Sequence, residues 1–201
     1  MTDATHASAT LQSVCVYCAS SNAADPAYLE SAQRFGRIIA ENGVRLVYGG
    51  GGIGLMGAVA RGAQRAGGKV LGVMPAFLTG REMLYQEVET LVVQSMHERK
   101  QIMYEQSDAF AILPGGIGTL EEIVELMSWR RLELHRKPMV FHSPDGFWDP
   151  LFKLIDHTID QNLTPDWFRG TWRSVATVEE VLPAIRQMMP AGPRRDPTDL
   201  M

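Results

Sequence analysis

The sequence has 201 residues, 45% of them hydrophobic and 21% charged, a composition that predicts one globular domain with a sizeable core. Its formal net charge of -4 argues against broad electrostatic binding to nucleic acid or anionic lipid. Residues 1–12 lack the basic start and apolar middle of a signal peptide, and no later apolar run is long enough to span a bilayer. We therefore expect a cytoplasmic protein that acts on small molecules, with neither nucleic acid nor a membrane as a partner.

Strands and helices are predicted to alternate along the chain. Apolar runs predict strands at residues 13–19, 45–48, 69–74, 87–94, 109–113, 138–142 and 174–176. Helical spacing and end signals predict helices at residues 26–42, 58–66, 96–106, 120–134, 145–162 and 178–189. This rhythm indicates an α/β protein, a single-domain three-layer fold with a mainly parallel sheet. We expect the domain to span residues 13–189, between a flexible segment at residues 1–12 and a disordered tail at residues 190–201.

The two cysteines have the spacing of a redox motif but not its setting. Cys15 and Cys18 form a CxxC pattern within the first predicted strand, where side-chain alternation sends them to opposite faces. We therefore expect two buried, reduced thiols.

A glycine-rich run follows the second predicted strand. Gly52-x-Gly54-x-x-Gly57 has the spacing of a dinucleotide fingerprint in a strand-to-helix setting. The next strand ends in Val73-Met74-Pro75 and offers no acidic residue for a ribose diol, which argues against NAD. The run also lacks the Lys-Ser/Thr of an ATP P-loop. We therefore interpret Gly52 and Gly54 as part of a phosphate-binding loop of another kind.

Two cations, Arg99 and Lys100, fall in the first turn of the helix predicted to start after Ser95. Positive charge there opposes the helix dipole, typically at a cost of a few tenths of a kcal/mol to about 1 kcal/mol. This cost favours side chains that face an anion. Lys100 is equally consistent with a solvated surface cation.

The stretch at residues 114–118, Pro-Gly-Gly-Ile-Gly, joins an apolar strand to a helix and has almost no side chains. Backbone N–H groups at the positive end of a helix dipole suit a phosphate. Thr119 and Glu122 also fit a capping box, so local spacing supports a cap and a catalytic carboxylate equally. Thr177 and Glu180 have the same spacing without a glycine loop, and there we predict a cap alone.

Other catalytic arrangements find no support in the sequence. The five histidines show no HExxH or cysteine–histidine spacing, which argues against a metal site. No serine lies in a G-x-S-x-G elbow, and no lysine has the local setting of a pyridoxal phosphate site. We therefore expect neither a metal nor a cofactor.

Four separated motifs occur in one order along the chain: residues 54–57 (GLMG), Arg81-Glu82, residues 96–100 (MHERK) and residues 114–122, which match PGGxGTxxE. In these motifs the sequence resembles the LOG family, the cytokinin riboside 5'-monophosphate phosphoribohydrolases once labelled lysine decarboxylase-like. The match runs from about Ser13 to Arg186. It implies a Rossmann-like fold, a homodimer, and hydrolysis of the N-glycosidic bond of purine nucleoside 5'-monophosphates, AMP included, to free base and ribose 5-phosphate.

The resemblance also implies which residues form the site. It makes Arg99 and Glu122 the catalytic pair and places Glu82, Lys100 and Ser128 around the nucleotide; the family often has Thr where Ser128 stands. The loop residues that it adds are Gly116, Ile117, Gly118, Thr119, Leu120 and Glu121. Gly52 and Gly54, from the first glycine run, complete the predicted site.

Elementary chemistry agrees with a catalytic role for Glu122. Cleavage between ribose and base builds positive charge on the sugar, so a nearby carboxylate can stabilise that cation or activate water. Arg99 would contact substrate oxygens or orient Glu122. We favour this hypothesis over the cap, over a nucleotide-sensing module that breaks no bond, and over an amino-acid decarboxylase, which would need a pyridoxal site.

Overall fold

The computed structural model describes residues 10–189, and the strands in this part of the chain form one sheet. The strands are β1 Ser13–Tyr17, β2 Arg45–Tyr48, β3 Val70–Pro75, β4 Glu89–Val93, β5 Ala109–Ile112, β6 Met139–His142 and β7 Arg173–Val175. They lie in the order β4-β3-β2-β1-β5-β6-β7, and every neighbouring pair is parallel. The predicted parallel sheet is confirmed.

Helices cover both faces of the sheet. They are α1 Pro26–Glu41, α2 Gly54–Arg65, α3 Met96–Glu105, α4 Ile117–Arg131, α5 Asp149–Asp160 and α6 Val181–Met188, with short 3-10 turns at Ala76–Leu78, Pro144–Gly146, Asp166–Thr171 and Val178–Glu180. The apolar residues of α1, α2 and α6 form one core, and those of α3, α4 and α5 form the other. The predicted three-layer α/β fold is therefore confirmed. None of the described helices is both long and apolar enough to cross a bilayer.

Strand alternation decides where the cysteines lie. Cys15 belongs to the core on the α3, α4 and α5 side of the sheet, whereas Cys18, just beyond β1, belongs to the opposite core. Both thiols are free and buried, as predicted. Burial raises the pKa of each thiol well above its usual range, so neither acts as a nucleophile.

Three predicted helix starts are confirmed by their caps. The Asp25 side chain caps α1 with proline at the first helical position, and Ser95 caps α3 by accepting from the Glu98 N–H. Thr177 and Glu180 form the capping box predicted before α6.

The predicted chain ends are only partly described. The predicted tail at residues 190–201 and the first nine residues of the predicted N-terminal segment lie outside the described residues. Leu11 is buried in the core, and the Gln12 N–H donates to the Asp108 carboxylate at 2.9 Å. The packed chain therefore begins before the predicted boundary at Ser13.

Three loops meet at one edge of the sheet. β1 lies between β2 and β5, where the strand order reverses, and ligands of open α/β sheets bind in the crevice at such a point. Ala19, two residues beyond β1, donates its N–H to the Pro114 carbonyl and accepts from the Met56 N–H, both at 3.2 Å. These bonds bring together the loops that follow β1, β2 and β5.

Candidate active site

The loop between β5 and α4 presents an open backbone. Gly116 is the N-cap residue of α4, and Gly116, Ile117 and Gly118 are exposed. A Cβ atom added to Gly116 or Gly118 would meet no described atom within 4 Å, whereas one at Gly115 would lie 2.2 Å from Thr119 Oγ1. Gly115 is therefore required by the turn itself. The other two glycines leave space in front of the helix.

The amides at this helix end are available to a ligand. The N–H groups of Ile117 and Gly118 make no hydrogen bond to any described residue. Free N–H groups at the positive end of a helix form a ready site for an anion. The geometry therefore agrees with the predicted phosphate-binding role of this loop.

The capping box that the spacing of Thr119 and Glu122 allowed as an alternative is not formed. α4 begins at Ile117, three residues before the predicted start at Leu120, so Thr119 lies in the first turn and Glu122 in the second. No side chain of the described residues caps this helix. Because Glu122 has no capping contact, its position needs another explanation.

Glu122 faces Arg99 between α4 and α3. Arg99 Nη2 lies 3.6 Å from Glu122 Oε1, and the two side chains are 6% and 9% exposed. Gly49, just after β2, makes room for this contact, because a Cβ there would lie 2.0 Å from Arg99 Nη2. Arg99 Nε has no hydrogen-bond partner among the described residues. One donor of the guanidinium is therefore buried and unpaired.

The surroundings of Glu122 favour its neutral form. Burial raises the pKa of the Glu122 carboxyl to about 7; Arg99 lowers it, and the negative charges of Glu121 and Glu82 raise it again. A carboxyl with such a pKa can gain or lose a proton near neutral pH. Buried carboxyls that are shifted in this way and held beside a fixed cation are typical of catalytic sites.

The connection that carries Glu82 docks on the first glycine run. The Gly52 N–H donates to the carbonyls of Glu82 and Met83, at 3.1 and 2.7 Å. A Cβ on Gly52 would lie 2.5 Å from the Met83 carbonyl oxygen, so only glycine allows this approach. The glycine run therefore holds residues 76–88 by main-chain hydrogen bonds.

The amides of the first glycine run are occupied within the protein. Besides the occupied Gly52 amide, the Gly54 N–H donates to Asn22 Oδ1 at 3.0 Å. Neither N–H group is therefore free to donate to a phosphate, and the substrate-binding role of Gly52 and Gly54 stays a prediction. Glycines suit close approach by any backbone, and here the backbone is the protein's own.

Glu82 interacts electrostatically with the charged pair. Its Oε2 atom is buried and has no hydrogen-bond partner among the described residues. Burial raises the pKa of Glu82, and Arg99 lowers it. Glu82, Arg99 and Glu122 thus lie close enough to influence one another's ionisation.

Lys100 is paired, not solvated. It is 7% exposed, and its Nζ lies 2.5 Å from Glu121 Oε1 and 2.9 Å from Glu125 Oε2. Burial alone would lower the pKa of Lys100, but the hydrogen bonds to Glu121 and Glu125 outweigh burial and raise it. Lys100 is therefore a stable cation and not an activated amine.

Two predicted site residues lie apart from the charged group. Leu120 packs against the core beneath α3, α4 and α5. Ser128 is exposed, and it lies about 9 Å along α4 from Glu122 and about 120° around the helix axis. Within one chain, neither residue is brought to Arg99.

Sequence reasoning missed two residues that shape the site, Gly49 and Glu125. Glu125 follows Glu121 by four residues and so shares its face of α4. This spacing could have identified Glu125 as a second carboxylate facing Lys100. The role of Gly49 depends on the folded position of Arg99, fifty residues later, and had no local signal.

The sequence comparisons decide the family. Residues 56–185 match the family model described as "Possible lysine decarboxylase". A rice protein named cytokinin riboside 5'-monophosphate phosphoribohydrolase is 39% identical over 88% of this chain and 74% of its own length. An Arabidopsis thaliana protein of the same name is 38% identical over 88% of this chain and 82% of its own. The chain belongs to the LOG family.

Solved structures agree with the fold of this LOG-family protein. A molybdenum cofactor carrier protein from Chlamydomonas reinhardtii aligns with 89% of this chain and 98% of its own, with a TM-score of 0.68 and 22% identity. A molybdenum cofactor binding protein from Rippkaea orientalis aligns over the same shares with a TM-score of 0.66 and 22% identity. At this level of identity the likeness concerns the fold alone.

Proposed function

We propose that this LOG-family protein hydrolyses the N-glycosidic bond of purine nucleoside 5'-monophosphates, AMP and cytokinin nucleotides among them. One observation carries the proposal. A buried carboxyl, Glu122, lies beside Arg99 and one helical turn beyond the open amides of Ile117 and Gly118. The names of the relatives in rice and Arabidopsis thaliana support the same reaction.

The 5'-phosphate is held at the start of α4. Its oxygens accept from the exposed backbone N–H groups, where the helix dipole also favours negative charge. Glu122 follows Gly118 by four residues, which is about 6 Å along the helix. A ribose attached to the bound phosphate therefore comes within reach of the Glu122 carboxylate.

The chemical step breaks the bond between C1' of the ribose and the base nitrogen. The bonding electrons leave with the base, and the developing cation on the sugar is stabilised by ionised Glu122. Water adds to C1' and gives up a proton, which ends on the departing base. Arg99 contacts substrate oxygens or orients the carboxylate, which it approaches to 3.6 Å.

Incubation with AMP and with a prenylated AMP tests the proposal. The expected result is release of free base and ribose 5-phosphate without added metal, and the faster substrate identifies the preferred base. A nucleotide that binds but is recovered intact after long incubation at high protein concentration would instead support a sensing module. A pyridoxal absorbance band in the purified protein would revive the decarboxylase alternative.

We also propose that the chain forms a homodimer through α4. Ile117, Val124 and Leu132 are 85%, 55% and 60% exposed and lie along one side of this helix, with Ser128 between them. A second copy covering this side would bury these apolar side chains. Light scattering should give twice the chain mass, and Val124→Asp should halve it.

A further inference from the structure

Lys100 joins two helices. It belongs to α3, and its ammonium lies within hydrogen-bond distance of two carboxylates of α4, Glu121 and Glu125. These two glutamates are four residues apart and share one face of the helix. Because Lys100 is only 7% exposed, its charge is held by this pair and hardly by water.

The Lys100 contacts lie directly beside the proposed catalytic pair. Arg99 precedes Lys100 on α3, and Glu122 follows Glu121 on α4, so two consecutive residues of one helix meet consecutive residues of the other. Consecutive side chains on a helix point about 100° apart. Fixing Lys100 against α4 therefore also fixes the directions in which Arg99 and Glu122 point.

We propose that Lys100 is a positioning residue, held by Glu121 and Glu125 so that Arg99 and Glu122 meet, and that it does not contact the nucleotide. The inference rests on the proposed hydrolysis for its kinetic readout. It gives a role to Glu125, which neither the motif nor the resemblance assigns to the site.

The electrostatics of the site supply an independent readout. The charged groups that act on Glu122 are Arg99 and Lys100 from α3, Glu121 from α4 and Glu82 from residues 76–88. Lys100 lowers the pKa of Glu122 and Glu121 raises it. Loss of the Lys100 charge should therefore move the midpoint of the pH–rate profile upward, and Glu121→Gln should move it downward.

The decisive variant is Lys100→Met. A positioning role predicts that kcat falls about tenfold to a hundredfold, because small displacements of reacting groups are costly, whereas KM stays within about twofold. A role in binding the substrate phosphate predicts the reverse, a raised KM with kcat retained. That result, or unchanged kinetics, would overturn the proposal.

A charge exchange separates the two roles further. The exchange Lys100→Glu with Glu125→Lys is made together with Glu121→Gln, so that the new glutamate faces the new lysine and meets no like charge at position 121. The ion pair between the helices is thus restored in reverse, and kcat should recover to within about fivefold of the native value. If the exchange is no more active than Lys100→Met, Lys100 does not act through Glu125.

Thermal melting tests the contact between Lys100 and Glu125 independently of catalysis. A double-mutant cycle is formed by Lys100→Met, Glu125→Gln and the variant that carries both changes. The double variant should lose less free energy of unfolding than the two single variants lose together. Additive losses would overturn the link between the helices. Arg34→Met, which breaks the exposed pair with Glu179 far from the site, is the control and should leave kinetics unchanged. If the native chain hydrolyses no nucleotide, the proposed function fails while this cycle still decides the pairing.

Discussion

Arg99 Nη2 approaches Glu122 Oε1 to 3.6 Å while both side chains are almost fully withdrawn from water. This separation exceeds a normal hydrogen bond, so the cation neutralises the carboxylate incompletely. Burial therefore prevails over the attraction and raises the pKa of Glu122 to about 7. An ion pair that served stability alone would be expected to close to hydrogen-bond distance.

Glu122→Gln tests the catalytic role directly. The amide fills the same space but cannot carry the negative charge that stabilises the sugar cation, so kcat should fall about a thousandfold. Binding of AMP, measured by calorimetry, should change little because the phosphate contacts are made by the backbone of α4. A variant that keeps its turnover would rule out Glu122 as the catalytic carboxylate.

The same variant should be more stable than the native protein at alkaline pH. The folded-state pKa of Glu122 is raised from 4.5 to about 7, so ionisation of Glu122 destabilises the fold as the pH rises through this window. Removing the charge should add up to about 3 kcal/mol at pH 8 and almost nothing at pH 4.5. Thermal melting at the two pH values checks this. Equal destabilisation at both would point to lost packing or capping.

The pH dependence of kcat/KM should report Glu122. Because the ionised carboxylate is the active form, kcat/KM should rise with pH, reach half its plateau near pH 7 and level off about one pH unit above. Glu82→Gln should shift the midpoint downward, since the Glu82 charge raises the pKa of Glu122. A profile that is flat between pH 5 and pH 8 would contradict the assignment.

Substitution by alanine should affect stability and substrate binding differently at Gly118 and at Gly115. At Gly118 the added methyl group meets no described atom, so stability should be unchanged or raised by about 0.5 kcal/mol. The KM for AMP should nevertheless rise about tenfold, because the methyl group occupies the space in front of the free amides. Binding of adenosine, which has no phosphate, should be unaffected.

Gly115→Ala is the matched control for Gly118→Ala. Its methyl group would lie against Thr119 Oγ1, so this variant should lose stability, by about 1–3 kcal/mol. Melting temperature and KM together separate the two cases. Should Gly118→Ala melt as early as Gly115→Ala, the glycine at 118 serves the fold and not the ligand.

Gly52→Ala should disturb catalysis from a distance. Its methyl group would press on the Met83 carbonyl and displace the segment that carries Glu82, so kcat/KM should fall about tenfold. Gly80→Ala is the control, because a methyl group there meets no described atom. Equal activity of the two variants would show that the docking of this segment does not matter.

The sequence was sufficient wherever the deciding forces are local. Apolar runs such as residues 109–113 predicted buried parallel strands because such strands have no solvent face. Asp25 and Ser95 predicted helix starts because a side-chain acceptor satisfies the first free amides. The charged pair of Arg99 and Glu122 was located through family motifs, and the structure brings the two residues together.

The sequence failed where identical local patterns have different surroundings. Thr-x-x-Glu caps a helix at Thr177, but at Thr119 the helix has already begun at Ile117, in a turn whose glycines concealed it. The glycines at 52 and 54 resembled a phosphate loop because their spacing cannot reveal that Met83 and Asn22 occupy their amides. Such long-range contacts are set by the folded chain as a whole.

The attachment of residues 76–88 to the glycine run has a practical consequence for altering the enzyme. Main-chain hydrogen bonds hold this connection at Gly52, and they are indifferent to side-chain identity. Phe77, which is 59% exposed, can therefore be varied in a library without detaching Glu82, whereas Met83 has a φ of 48° that β-branched residues adopt poorly. Such variation alters this segment while the reacting groups, carried by α3 and α4, stay untouched.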